Sequence, residues 1–167
     1  LAAPSAGMTL TDFRGSSRVG RMADETLEAG GDLLIVGGGR MGEALAGGLL
    51  GHGWPADRLV VVEAVAGRRA ELAAAHPGMR LAGTVADAAG DSGAGPGAVI
   101  AVKPHDVAGV CAALHAAGAT RVLSIAAGVT LADMDAVLPD AAVLRAMPNT
   151  PALVGAGAAA VAPGSGA

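Results

Sequence analysis

Short apolar runs alternate along the chain with longer stretches in which apolar residues recur every three or four positions. The runs at 33–36, 59–62, 79–82, 98–102, 121–125 and 142–147 are too short for helices, and all but the fifth, which leads into Ala126-Ala127-Gly128, end at Gly, Pro, Lys or Glu, so they read as strands. A further strand is expected over 155–161. The intervening pattern predicts helices at 41–51, 67–76 and 105–117, a short one from Thr84 to about Ala89, and one from Thr130 that Pro139 closes. In the first helix Met41, Ala44, Leu45 and Leu49 share an inward face. In the second, Leu72 and Ala75 do. The prolines of Pro148-Asn149-Thr150-Pro151 lack the N–H a ladder needs, so the sixth strand is expected to stop before them. Residues 90–97 carry no strand or helix pattern and read as a loop. Strands alternating with helices imply an α/β fold with a doubly wound, mostly parallel sheet, helices on both faces and right-handed crossovers. Residues 1–31 show no period and read as a flexible leader, which leaves residues 32–164 as the folded domain.

The first apolar run leads straight into Gly37-Gly38-Gly39-Arg40-Met41-Gly42, where a helical pattern begins. Gly37, Gly39 and Gly42 have the G-x-G-x-x-G spacing of a Rossmann-like dinucleotide-binding turn. Gly37 lets the chain leave the strand in a tight turn. Gly39 leaves room for a pyrophosphate against the backbone, and Gly42 lets the helix pack closely on the strand. The helix start offers free N–H groups and a positive dipole end. Gly39→Val is expected to fill the phosphate position and to strain the backbone there.

Ligands of such sheets bind beyond the carboxyl ends of the strands, so the residues that follow each strand are the candidates. After the first strand these are Gly37, Gly38, Gly39, Arg40, Met41 and Gly42. After the second comes Glu63, placed to accept from an adenosine ribose 2′-hydroxyl and to repel a 2′-phosphate, a lean toward NADH over NADPH. Arg68 and Arg69 follow it and partly offset that lean. After the fourth strand come Ala101, Val102, Lys103 and Pro104, where Pro104 holds Lys103 extended toward a ribose or phosphate. After the fifth, the small residues Ala126, Ala127 and Gly128 leave space for a flat ring. After the sixth, Asn149 presents an amide that can pair with a carboxamide.

Composition narrows the chemistry. The chain has 167 residues, enough for one domain with a full core, and is 52% apolar with Phe13 and Trp54 as its aromatics. Its core must therefore be built from Ala, Val, Leu, Ile and Met. A net charge of −4 leaves no large basic surface for nucleic acid. No apolar run approaches the ~18 residues that span a bilayer. Cys111 is the single cysteine, which excludes an internal disulfide and suits a reducing, cytoplasmic setting. It lies in an apolar helical pattern and reads as a small buried residue. His52, His76, His105 and His115 are scattered without an i,i+4 pair, so no metal site is expected. Ser124 lies in no G-x-S-x-G elbow, and no P-loop sequence occurs.

Four blocks, in order, resemble the pyrroline-5-carboxylate reductases. They are Ile35-Val36-Gly37-Gly38-Gly39-Arg40-Met41-Gly42-Glu43-Ala44-Leu45, Ala101-Val102-Lys103-Pro104-His105-Asp106-Val107, Ser124-Ile125-Ala126-Ala127-Gly128-Val129-Thr130, and Arg145-Ala146-Met147-Pro148-Asn149-Thr150-Pro151-Ala152-Leu153-Val154-Gly155-Ala156-Gly157. The resemblance implies reduction of 1-pyrroline-5-carboxylate to L-proline by hydride from NADPH or NADH, the last step of proline biosynthesis. It implies that the Gly37 to Gly42 turn holds the pyrophosphate. Ala101 to Pro104 and Ala126 to Gly128 would line the nicotinamide half, with Asn149 near the reaction centre. Where the family carries Asn-x-Glu-Ala before the fourth strand, this chain has Val85-Ala86-Asp87-Ala88. The family continues as a helical domain that forms a homo-oligomer and supplies the substrate pocket. On that basis no catalytic residue is assigned within this segment. Two other readings stand beside it: the cofactor domain of a 6-phosphogluconate-dehydrogenase-like enzyme, and a nucleotide-binding module without catalysis.

Overall fold

A computed structural model describes residues 32–90, 96–149 and 159–166. The expectations for residues 1–31, most of the 90–97 loop, and Thr150 with the first part of the last strand fall outside the described residues. Strands β1 (Leu33–Val36), β2 (Leu59–Val62), β3 (Arg80–Ala82), β4 (Gly97–Ile100), β5 (Arg121–Ser124), β6 (Ala142–Pro148) and β7 (Ala159–Pro163) form one sheet in the order β3-β2-β1-β4-β5-β6-β7. All neighbours run parallel except β7, which returns antiparallel along β6. The helices are α1 (Arg40–Gly51), α2 (Ala66–Ala75), α3 (Val85–Ala89), α4 (Val107–Ala116) and α5 (Leu131–Asp135).

The central strands are apolar at every position because both faces of the sheet are covered. Leu34, Val36, Val60, Val62, Ala98 and Ile100 point to one side, onto Val85 and Ala88 of α3, Val107, Cys111 and Leu114 of α4, and Met134 of α5. The alternate residues Ile35, Leu59, Val61 and Val99 point to the other, onto Ala46 of α1 and Leu72 of α2. The expected doubly wound architecture is therefore present, with α1 and α2 on one face and α3 to α5 on the other. Two short helices are fixed by their caps. Thr84 accepts the Asp87 N–H at 3.1 Å to start α3. Thr130 and Asp133 form a reciprocal capping box on α5.

Several local expectations need correction. Pro148 is the last residue of β6, paired with Ala159, rather than a residue beyond the strand. β5 pairs with β6 only as far as Arg145, so Pro148 is flanked by β7 alone and needs no N–H on its open side. On α1 the most buried residues are Gly42 and Ala46, while Met41, Ala44, Leu45 and Leu49 are half-buried around them. Small residues make the nearest approach to the sheet, and the leucines pack at its flanks. On α2 Leu72 is buried but Ala75 is exposed. His105 lies in a single 3-10 turn, Pro104–Asp106, and α4 starts after it. Cys111 is buried, as expected.

Candidate functional site

The carboxyl ends of the strands are aligned. Val36 is level with Val62 on one side and Ile100 on the other, and Ile100 is level with Ser124. The next residues extend that row, since Gly37 N donates to Val62 O, Ala101 N to Val36 O, and Ile125 N to Ile100 O. Glu63, the Gly37 to Gly42 turn, Ala101 to Pro104, Ala126 to Gly128 and Asn149 therefore follow one another along one edge of the sheet. Strand order reverses between β1 and β4, and this is where an open α/β sheet leaves a crevice.

The turn is shaped by what its glycines touch. Gly37 has φ +112°, a region L side chains rarely adopt, and a Cβ there would stand 2.6 Å from the Ala101 carbonyl oxygen. A Cβ on Gly42 would collide with the carbonyl oxygen of Gly37. Gly42 thus closes the turn on itself as well as letting α1 approach β1. Gly39 differs. It is the N-cap of α1 with φ −69° and ψ −176°, ordinary extended backbone, and a Cβ there would meet open space. The expected strain in Gly39→Val is therefore absent, and only the room left for a ligand remains as its role. Arg40, Met41 and Gly42 form the first turn of α1, whose N–H groups have no intrahelical partners.

The part of the row around Glu63 is more occupied than expected. Glu63 accepts the Gly38 N–H at 3.0 Å through Oε2 and the Val65 N–H at 2.8 Å through Oε1. Each carboxylate oxygen keeps a lone pair, so a ribose hydroxyl can still donate to it. Arg68 and Arg69, expected to offset the lean toward NADH, are engaged within the fold, although Arg68 uses only three of its five N–H donors. Arg68 donates through Nε to the Gly38 carbonyl at 2.9 Å, through Nη2 to Glu43 at 2.5 Å and through Nη1 to Glu71 at 2.8 Å. Arg69 donates to the Glu63 and Ala64 carbonyls. His76 Nε2 lies 3.3 Å from the second Glu43 oxygen. The hydrogen bond from Arg68 is the largest influence on Glu43 and holds its carboxyl below the usual range, with His76 adding to it. Arg68 is correspondingly pushed up by its bonds to Glu71 and Glu43.

In the loops expected to border a nicotinamide, Lys103 and Pro104 are exposed, and Ala101 and Val102 are half-buried. Gly128 turns with φ +73° into open space, Ala127 is exposed, and buried Ala126 donates its N–H to Ser124 Oγ at 3.3 Å. Asn149 is exposed just past the end of β6. A dinucleotide fits this edge: an open glycine, a helix start, an acceptor at Glu63 and a row of small residues. Sequence reasoning missed Glu43, whose signal was a carboxylate in the first helical turn. It also missed Arg145, a charged residue inside an apolar strand, whose buried Nε has no partner among the described residues. No group of three or more metal-ligating side chains lies together among the described residues.

Residues 32–128 match the family model described as NADP oxidoreductase coenzyme F420-dependent. Among curated proteins the chain is similar to the pyrroline-5-carboxylate reductase of Mycobacterium tuberculosis, 40% identical over 141 residues, which are 79% of this chain and 46% of that protein. It is also similar to that of Pasteurella multocida, 36% identical over 129 residues, 75% of this chain and 46% of that one. The chain thus spans about half the length of the curated relatives it matches. Among solved structures, a pyrroline-5-carboxylate reductase from Coxiella burnetii aligns with TM-score 0.72 and 27% identity, over 82% of this chain and 51% of that one. The Plasmodium falciparum pyrroline carboxylate reductase with NADP bound shares the fold, with TM-score 0.65 and 21% identity over 81% and 49%. No described helix is long and apolar enough to cross a membrane.

Proposed function

The chain belongs to the family described as NADP oxidoreductase coenzyme F420-dependent, and from that premise we propose that it binds NADPH or NADH for the reduction of 1-pyrroline-5-carboxylate to L-proline. The observation that carries this is the single row of strand-end loops centred on the β1/β4 switch, with the open Gly39 at the start of α1. Residues 32–164 act as the dinucleotide-binding domain. The turn from Gly37 to Gly42 takes the pyrophosphate on its backbone N–H groups. Glu63 accepts from the adenosine ribose. Ala101 to Pro104 and Ala126 to Gly128 border the nicotinamide, whose ring, when bound and reduced, supplies the hydride. Asn149 orients the carboxamide, which fixes the face of the ring turned toward substrate.

Hydride transfer to a C=N carbon needs near-attack geometry, with about 3–3.5 Å between the reacting atoms, and donors for the substrate carboxylate. In this reading those donors come from the portion of the relatives beyond the matched half, which also forms a homo-oligomer. The full enzyme works in the cytoplasm on a small-molecule substrate. Titration of the purified chain with NADH and NADPH, followed through nicotinamide fluorescence, should show saturable binding. Mixing the loaded chain with pyrroline-5-carboxylate should form little proline. Absence of binding by both cofactors overturns the proposal, and rapid proline formation places the whole active site within these residues.

A further inference from the structure

Three successive glycines, Gly37 to Gly39, form the turn, and without side chains their peptide planes rotate easily. A rotated plane would present a carbonyl oxygen, not an N–H, to a phosphate. Something outside the glycines must therefore fix the planes, and two charged side chains do so at Gly38. Its N–H donates to Glu63 Oε2 at 3.0 Å, and its carbonyl accepts from Arg68 Nε at 2.9 Å. Each grip sets a whole peptide. A trans peptide points its N–H and C=O in opposite directions, and no described peptide is cis. Glu63 draws the Gly38 N–H and so turns the Gly37 carbonyl the other way, onto Gly42. Arg68 draws the Gly38 carbonyl and so turns the Gly39 N–H away from the guanidinium. That N–H has no partner among the described residues, and a Cβ on Gly39 would meet open space.

Arg68 is itself held. Its Nη2 donates to Glu43, in the first turn of α1, at 2.5 Å, and its Nη1 to Glu71 on α2 at 2.8 Å. The Nε–H cannot leave the Gly38 carbonyl without disturbing ion pairs to two helices. Glu63 is fixed in the same way, by the Val65 N–H at 2.8 Å. We propose that Arg68 is a positioning residue which, through the Gly38 carbonyl, aims the Gly39 N–H at the cofactor pyrophosphate. The inference rests on the dinucleotide reading of the strand-end row given above. It gives Arg68 no part in choosing between NADH and NADPH, since both carry the same pyrophosphate.

The test uses the full 167-residue chain, unaltered and as Arg68→Ala and Arg68→Lys, titrated with NADH and NADPH below the melting transition of each form. Arg68→Ala should weaken both cofactors about tenfold, the size of one charge-assisted hydrogen bond, and should leave their ratio within about twofold. Arg68→Lys keeps the charge but loses the fork that reaches three acceptors at once, so it should bind no better than Arg68→Ala. A second readout is the Gly39 amide signal of isotope-labelled chain in nuclear magnetic resonance. Saturating NADH should shift it in the unaltered chain. In Arg68→Ala that shift should be lost while the Met41 and Gly42 amides still move, a selective loss that general loosening of the fold would not produce. If Arg68→Ala shows no melting transition, Arg68→Lys carries both readouts with the same expected losses. Unchanged affinity in the folded variants, a loss confined to NADPH, full recovery in Arg68→Lys, or a Gly39 amide that NADH leaves unmoved in the unaltered chain overturns the inference and leaves the proposed function standing. Failure of both cofactors to bind the unaltered chain overturns the two together.

Discussion

Gly39 and Gly42 sit three residues apart, and a methyl group at each would meet opposite surroundings. At Gly39 it projects into open space from backbone of ordinary angles, so Gly39→Val should cost about 1 kcal/mol of stability through poorer capping while abolishing cofactor binding. At Gly42 it strikes the Gly37 carbonyl, so Gly42→Ala must push the turn apart. That change should cost about 3 kcal/mol and weaken binding through lost structure. Melting curves beside cofactor titrations separate the two. If Gly39→Val melts far below the unaltered chain, the open position assigned to it is wrong. Glu43 allows a second check, by pH. Its carboxyl is held below the usual range in the folded chain by Arg68 and His76, so the folded state binds fewer protons there than the unfolded one. The stability this provides is complete above the ordinary Glu value of about 4.3 and is lost as pH falls through the lowered value. Between pH 6 and pH 3 the unaltered chain should lose more melting temperature than Glu43→Gln; equal losses would deny that pair a role in stability.

Leu72 shows how an element reaches the site without entering it. It is fully buried on α2, and its Cδ1 stands 2.7 Å from where a Gly38 Cβ would be, so the helix props the turn from beneath. Leu72→Ala should cost about 3 kcal/mol by urea unfolding and should loosen cofactor binding, whereas removing the Thr84 cap should cost about 1 kcal/mol and leave binding alone. Weakened binding in Thr84→Ala, or none in Leu72→Ala, would mean the turn is not propped by α2. The strands at 33–36 and 59–62 were readable to the residue, because a strand covered on both faces is apolar throughout and ends where the chain turns. Helix faces were less readable. Periodicity finds apolar residues, but in helices rich in Ala and Gly the closest contact is decided by size, which favours Gly42 and Ala46 over the leucines. Pro148 stays within β6, against the expectation from its missing N–H, because an antiparallel edge demands an N–H only on its paired side. The Glu43–Arg68 pair spans 25 positions and exists only because α1 and α2 share a face, which no local pattern states. The glycine turn and the strand-end candidates were legible because topology alone puts them in one row.

At the scale of the molecule, six strands among the described residues run the same way and carry their loops to one edge, and of these residues' strands only β7 runs back. Beginning beside Pro148, it ends with Pro163 level with Leu144, and Gly164 N then donates to Val143 O at 2.7 Å. Asp135, at the end of α5, secures this return by accepting from the Ser165 N–H and hydroxyl at 3.0 and 2.9 Å. Gly164 leaves no room for a side chain there, since a Cβ would lie 2.6 Å from an Asp135 oxygen. Five residues of strand at about 3.4 Å each therefore carry the backbone from the edge where the parallel strands end to the opposite rim. That gives the chain a polarity useful at a surface. Anchored to a sensor chip through a tether fused after Ala167, the molecules would stand with the glycine turn outward, toward the flowing solution. Immobilised and free chain should then show the same NADH dissociation constant, while anchoring through a cysteine introduced at exposed Lys103 should block the site. Equal binding from both attachments would mean that the cofactor does not lie along the edge where the parallel strands end.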